Sequence, residues 1–247
     1  MKKQILIFAT ITTIVLTSCS KEKIETIETG GNEEIATAKS GSGGSSLTPE
    51  KGLLGRYEFN GNLKDTTGKL TNGVPTVNRV LYTTDRKGAA GKAIRFNGAY
   101  GVNIFSVPLD SNMSVSVWVK YDMLPTVYQR QMVSCPHSFS LSQVENTFQA
   151  AHYYYGGGIV LGPLPVNNNW HHLAATFDGN NLKFYIDGVL QAMGSSAADS
   201  GPIVPKSDYL LGYGYNAGYK YWMGSMDDLR FYKKILSDSE VQALKNL

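Results

Sequence analysis

Met113-Ser114-Val115-Ser116-Val117-Trp118-Val119-Lys120 alternates without a break. Met113, Val115, Val117 and Val119 fall on one side of an extended chain, Ser114, Ser116, Trp118 and Lys120 on the other. A period of two with one continuous apolar row predicts a strand that covers a core on one face only. Leu182, Phe184 and Ile186 alternate with Lys183, Tyr185 and Asp187 in the same way. Asp178-Gly179-Asn180-Asn181 marks the turn before that run, and Asp187-Gly188 a tight hairpin after it. Further strands are expected over 53–59, 93–96, 131–135, 170–177, 209–213 and 225–232. Short strands, Gly-rich turns and no helical crossovers predict an all-β antiparallel sandwich. The exception is terminal. Ser237-Asp238-Ser239-Glu240 has capping-box spacing, with Leu236 and Val241 at the staple positions. Val241 and Leu244 then supply an apolar stripe with which a short C-terminal helix docks.

Working outward, the N-terminus has a different character. Lys2 and Lys3 precede an apolar run from Ile5 to Leu16, too short to span a hydrocarbon core of ~30 Å but the length of an export signal. It ends in Leu16-Thr17-Ser18-Cys19, which resembles the bacterial lipobox. Cys19 would then be the lipidated first residue of the mature chain, held to a membrane by acyl chains. An ordinary export signal with a cysteine in its cleavage region is the plainer reading. Residues 19–51, closing in Ser40-Gly41-Ser42-Gly43-Gly44-Ser45-Ser46, read as a flexible tether that cannot bury enough surface to fold. The division is therefore 1–18 signal peptide, 19–51 tether and 52–247 folded domain. Net charge is +3, of which Lys2 and Lys3 supply two, too little to suggest nucleic acid. With Cys19 committed to lipid, Cys135 has no intrachain partner, so the core must hold the domain together.

Six segments follow one another along the domain, beginning with Leu54-Gly55-Arg56-Tyr57-Glu58-Phe59-Asn60-Gly61-Asn62-Leu63-Lys64-Asp65 and Gly91-Lys92-Ala93-Ile94-Arg95-Phe96-Asn97-Gly98. Then come Ser114 to Lys120, Trp170-His171-His172-Leu173-Ala174 and Leu182 to Gly188. Gly224-Ser225-Met226-Asp227-Asp228-Leu229-Arg230-Phe231-Tyr232, with Leu236, Ser237 and Glu240, completes the order. Together they resemble the laminin-G-like, concanavalin A-like jelly-roll family. Joined to the lipobox, the chain resembles a lipoprotein of the Bacteroides type. The resemblance implies a concanavalin A-like jelly roll that recognises carbohydrate. It also implies a structural Ca²⁺, with Asn60, Asp65 and Asp227 as candidate ligands. Asn60 and Asn97 stand where the family usually has Asp, which weakens that expectation.

Catalysis is poorly supported. A glycosidase needs two carboxylates ~5 to 9 Å apart across the scissile bond, and relatives that cleave glucans carry Glu-x-Asp-x-x-Glu, which is absent here. Glu58 and Glu145 have no neighbouring acid. Asp178 and Asp187 precede glycines in turns, and Asp227 and Asp228, as strand neighbours, are expected to face opposite ways. The same argument separates His171 from His172, so they cannot share a metal. Cys135, beside Pro136 and His137, reads as a buried, unreactive thiol.

The aromatics suggest binding instead. Tyr153 and Tyr155 run into Gly156-Gly157-Gly158, and Tyr213, Tyr215 and Tyr219 are interleaved with Gly212, Gly214 and Gly218. Tyrosine pairs a flat apolar face with a polar tip, suited to sugar rings and protein surfaces alike, while the plainer reading is that alternate tyrosines cover the edges of the core. Tyr154, Tyr209 and Trp222 are assigned to the core. The expectation is a lipid-anchored, non-catalytic recognition module of the cell envelope, in the outer membrane and facing the surface or the periplasm. Its partner would be a glycan or glycoprotein. A structural or adhesive protein-binding lipoprotein is the alternative, and a glycoside hydrolase of the same fold the third reading.

Overall fold

A computed structural model describes residues 50–109, 112–122, 129–136, 138–152, 158–165, 167–195, 207–215 and 220–247. Its first strands are β1 (Leu53–Tyr57), β2 (Val74–Pro75), β3 (Leu81–Thr83), β4 (Ala93–Asn97), β5 (Val102–Val107) and β6 (Asn112–Tyr121). The chain continues through β7 (Arg130–Cys135), β8 (Phe139–Val144), β9 (Thr147–His152), β10 (Ile159–Pro163) and β11 (His171–Asp178). Last come β12 (Asn181–Ile186), β13 (Val189–Ser195), β14 (Ser207–Leu211), β15 (Lys220–Tyr221), β16 (Met223–Tyr232) and helix α1 (Asp238–Lys245).

Two sheets result. The first runs β13-β12-β11-β6-β16-β4-β3, with β1 also on β16; the second runs β10-β9-β8-β7-β14-β5-β2, with β15 on β7. The described pairings are antiparallel except that of β15 with β7. The alternating run is thus central to sheet one, and its apolar row, Val115, Val117 and Val119, is fully buried. Leu173, Phe184 and Phe231 join it from neighbouring strands, and Val133, Leu141 and Phe148 face it from sheet two. Each such side chain contributes ~1.5–3 kcal/mol by leaving water. Tyr209 and Trp222 belong to this core, as expected, and Cys135 is buried in it.

The Asp187-Gly188 turn has φ of +50° and +80°, the left-handed pair that a two-residue hairpin needs between Ile186 and Val189. The expected strand 209–213 is displaced to Ser207–Leu211, because Gly212 turns the chain at φ +77°. A Cβ at Gly212 would lie 2.3 Å from the Phe96 ring, so only glycine fits. At the C-terminus the capping box forms: Ser237 Oγ accepts from Glu240 N–H, and Glu240 accepts from Ser237 N–H at 3.0 Å. Val241 and Leu244 pack with Leu53, Ala174, Tyr185 and Tyr232 on the outer face of sheet one.

The expectation that Asp227 and Asp228 face opposite ways is wrong. The register of β16 against β6 shifts between Asp227 and Arg230, and Asp228 has φ +47°. This bulge adds a residue, so Met226 and Leu229, three apart, both reach the core while both carboxylates stay outside.

Candidate binding faces

The inner faces are apolar, so the chemistry lies on the two outer faces. On sheet two, strand register builds two rows. Ser134 pairs with Ser140, Ser140 with Ala151 and Ala151 with Ile159; Gln131 pairs with Ser142, Ser142 with Gln149 and Gln149 with Leu161. At ~4.8 Å per strand each row crosses about 14 Å. Sequence-level reasoning missed this face. Its signal was Phe139-Ser140-Leu141-Ser142, in which serines alternate with core residues.

Amides and hydroxyls on this face are buried and mutually bonded. Gln129 Nε2 donates to Ser142 Oγ at 3.0 Å and to Gln149 Oε1 at 3.4 Å. Among the described residues the buried Gln131 Oε1 has no hydrogen-bond partner, a cost of ~1–3 kcal/mol unless something donates to it. At the β14 side, Ser134 Oγ donates to the Tyr213 carbonyl at 3.0 Å, and Tyr213 OH donates to Asn103 Oδ1. The Tyr213 ring stacks on Tyr221 with centroids 5.7 Å apart. Tyr215, 45% exposed, follows. At the opposite edge Ile159 and Leu161 are exposed.

Sheet one presents a charged outer face. Arg86 lies over the Trp118 ring, 5.3 Å from its centroid, and donates to Asp227 Oδ2 at 2.6 Å and Asp228 Oδ2 at 3.4 Å. Arg230 forks onto Asp228 at 2.9 and 3.0 Å. Burial raises the Asp227 carboxyl to about 6, with Asp228 and Asp85 adding to the rise and Arg86 opposing it. Burial also pushes His172 down to about 4, although Asp228 and Asp187 pull it up, so it stays neutral beside Ser116 Oγ. His171 is held separately, Nδ1 on Asp187 Oδ2 at 2.7 Å and Nε2 on Asn167 Oδ1 at 2.9 Å. A cavity of about 400 Å³ opens beside this cluster, with Glu58, Asn60 and Asp227 among its walls.

The three residues expected around calcium do not make one site. Asn60 and Asp227 line that cavity, whereas the Asp65 carboxylate organises its own loop. It accepts from the N–H groups of Arg56, Thr67, Lys69 and Leu70 and from Thr67 Oγ1. Burial favours protonation of Asp65, but the donors from Arg56, Leu70 and Thr67 win and hold its pKa below the usual value. A carboxylate so occupied has few lone pairs left for a cation. Among the described residues, no group of three or more His, Cys, Asp or Glu is placed to hold a metal. Cys19, Tyr153, Tyr155 and Tyr219 lie outside the described residues, as do Tyr154 and His137.

Comparison with known proteins agrees with this architecture. The model of the concanavalin A-like lectin/glucanases superfamily matches residues 96–242. Domain 4 of AbnA, an extracellular arabinanase of family GH43 from Geobacillus stearothermophilus solved with arabinotriose, is 25% identical. It covers 78% of this chain and 98% of its own, with a TM-score of 0.63. The binding domain of Paraclostridial Mosquitocidal Protein 1 aligns at 18% identity and TM-score 0.65, over 81% of this chain and 52% of its own. The botulinum neurotoxin serotype D binding domain aligns at 14% and 0.62, over 79% and 50%. The chain thus spans about half the length of those two structures. Among curated protein sequences, none matches it significantly.

Proposed function

The chain belongs to the concanavalin A-like lectin/glucanases superfamily, and on that footing we propose that it is a non-catalytic glycan-recognition module of a bacterial cell envelope, lipid-anchored through Cys19. The outer face of sheet two is the binding surface, met by the sugar where the exposed Tyr215, Tyr221 and Leu161 rim the buried serine and glutamine rows. One observation carries the reading: a sheet face that could have been apolar or charged carries paired rows of serine and glutamine, with Gln131 Oε1 left without a donor among the described residues. Neutral hydroxyls and amides beside stacked tyrosines are the chemistry that holds sugar hydroxyls and ring faces. The arabinanase domain solved with arabinotriose supports an oligosaccharide of similar length as ligand. Against catalysis stands the Arg86–Asp227–Asp228–Arg230 cluster, whose carboxylates are clamped by guanidinium groups.

A soluble chain starting at residue 45, presented to a glycan array, should bind defined oligosaccharides, and Gln149→Ala should weaken that binding about tenfold or more. Binding to no glycan would overturn the proposal, and release of reducing ends from a bound glycan would replace it with a hydrolase. The anchor has its own test: Cys19→Ala should move the full chain from the detergent phase to the aqueous phase. A protein-binding reading rests on the exposed Ile159 and Leu161, which are apolar enough for a protein rim.

A further inference from the structure

Strand register assembles a second group of residues at the open end of the sheet-one outer face. Trp118 on β6 pairs with His172 on β11. Two residues further along β6 is Lys120, and two residues back from His172 is Trp170, so the same antiparallel register sets these two side by side. Lys120 also pairs with Ser225, and Ser225 with Arg95. Trp170, just before β11, and Lys120, Ser225 and Arg95 on β6, β16 and β4 therefore form a row, about 5 Å per step. The row lines a cavity of about 520 Å³, to which Thr83, Thr84 and Asn168 add hydroxyls and an amide. That volume lies within the range of small-ligand sites.

The charges in this cavity are unevenly satisfied. Arg95 pairs with Asp122, and Arg86 with Asp227 and Asp228. The Asp85 carboxylate accepts from the N–H groups of Lys87 and Ala89. Among the described residues, the half-buried Lys120 is left with no ion-pair or hydrogen-bond partner for its ammonium. Trp170, also half-buried, has no aromatic neighbour there. A single unpaired cation beside a partly open indole, with hydroxyls and an amide in reach and the carboxylates of Asp85 and Asp122 already engaged, matches one ligand class.

We propose that this cavity is a second recognition site, which takes a sugar residue bearing a carboxylate. The ring face stacks on Trp170, the carboxylate pairs with Lys120, and Thr83, Thr84 and Asn168 hydrogen-bond the ring hydroxyls. One free cation suits one negative charge, and the indole selects a ring over an extended acidic peptide. The site shares no residue with the outer face of sheet two, so it stands whether or not neutral glycans bind there.

The test uses the purified full chain and three trisaccharides, ending in glucuronic acid, sialic acid or glucose, titrated calorimetrically. Either or both acidic probes should bind at least tenfold more tightly than the glucose-ended one, and the preferred probe identifies the acid. Lys120→Met should remove that preference and Lys120→Arg should keep it, with melting temperatures near that of the parent. Trp170→Ala should abolish acidic-probe binding. Gln149→Ala tells the two sites apart, because it weakens neutral-glycan binding only. Equal binding of acidic and neutral probes would overturn the proposal. So would an unchanged preference in Lys120→Met, or equal binding by a glutamate-rich peptide.

Discussion

The outer faces of the two sheets back the same core and solve opposite problems. Sheet one closes itself: α1 lays Val241 and Leu244 over one part, and Arg86 and Arg230 neutralise Asp227 and Asp228 over the next. Sheet two spends buried positions on serine and glutamine, which stabilise little and leave Gln131 Oε1 unpaired. Unpaired buried polar atoms do not separate the faces, since Trp118 Nε1 and His172 Nδ1 on sheet one lack partners among the described residues as Gln131 Oε1 does. The difference is ion pairs on one against rows of neutral hydroxyls and amides on the other. It is this neutral chemistry, not a lack of partners, on which the proposed glycan face rests.

The largest effect should come from opening the sealed face. Leu244→Ala removes buried contact with Val241, Tyr185 and Tyr232 and should cost ~2–5 kcal/mol in urea unfolding, as core truncations do. A loss under ~1 kcal/mol would mean that the helix is an ornament and the comparison fails. Next is the charged cluster. With its folded pKa raised to about 6, Asp227 keeps a proton that the unfolded chain has released above the ordinary value of 3.8. Its stabilising contribution is complete below pH 3.8 and is lost as pH rises through about 6. Asp227→Asn should flatten the stability profile between pH 4 and 7 by roughly 1–3 kcal/mol, read from urea midpoints at each pH. An unchanged slope would show that Arg86 keeps the carboxylate ionised throughout. The smallest stability effect belongs to sheet two: Gln131→Met should leave stability unchanged or raise it by about 1 kcal/mol, since it deletes an unpaired acceptor. The same variant should bind glycan at least fivefold more weakly. A clear destabilisation would make this face structural and erase the contrast.

What the sequence made legible follows from how local each signal is. β6, β12, the Asp187-Gly188 hairpin and the capping box rest on residues a few positions apart, and all are found where the alternation and turn chemistry put them. Asp227 and Asp228 were misread because alternation assumes no bulge; the spacing of Met226 and Leu229 was the available clue. The serine–glutamine face needed the register of β7, β8 and β9, strands of which only β7 was anticipated. The meeting of Trp170 with Lys120 is likewise a property of pairing, invisible in either segment alone. For Asp65, the family resemblance supplied a metal ligand where the loop supplies backbone donors.

One feature of the fold bears on the order of events during synthesis. β1 pairs with β16, so Leu53 finds Tyr232 about 180 residues later, and the Lys233 N–H closes the join on the Gly52 carbonyl. The first strand of the domain to be made therefore waits for the last. Contacts so distant along the chain form late, and β-rich topologies dominated by them fold in milliseconds to seconds. Until the final segment arrives, β1 lacks its partner β16 and Tyr57 has no cover from Phe231. The first strand thus stays unpaired until synthesis nears its end, a state in which a chaperone can still hold it.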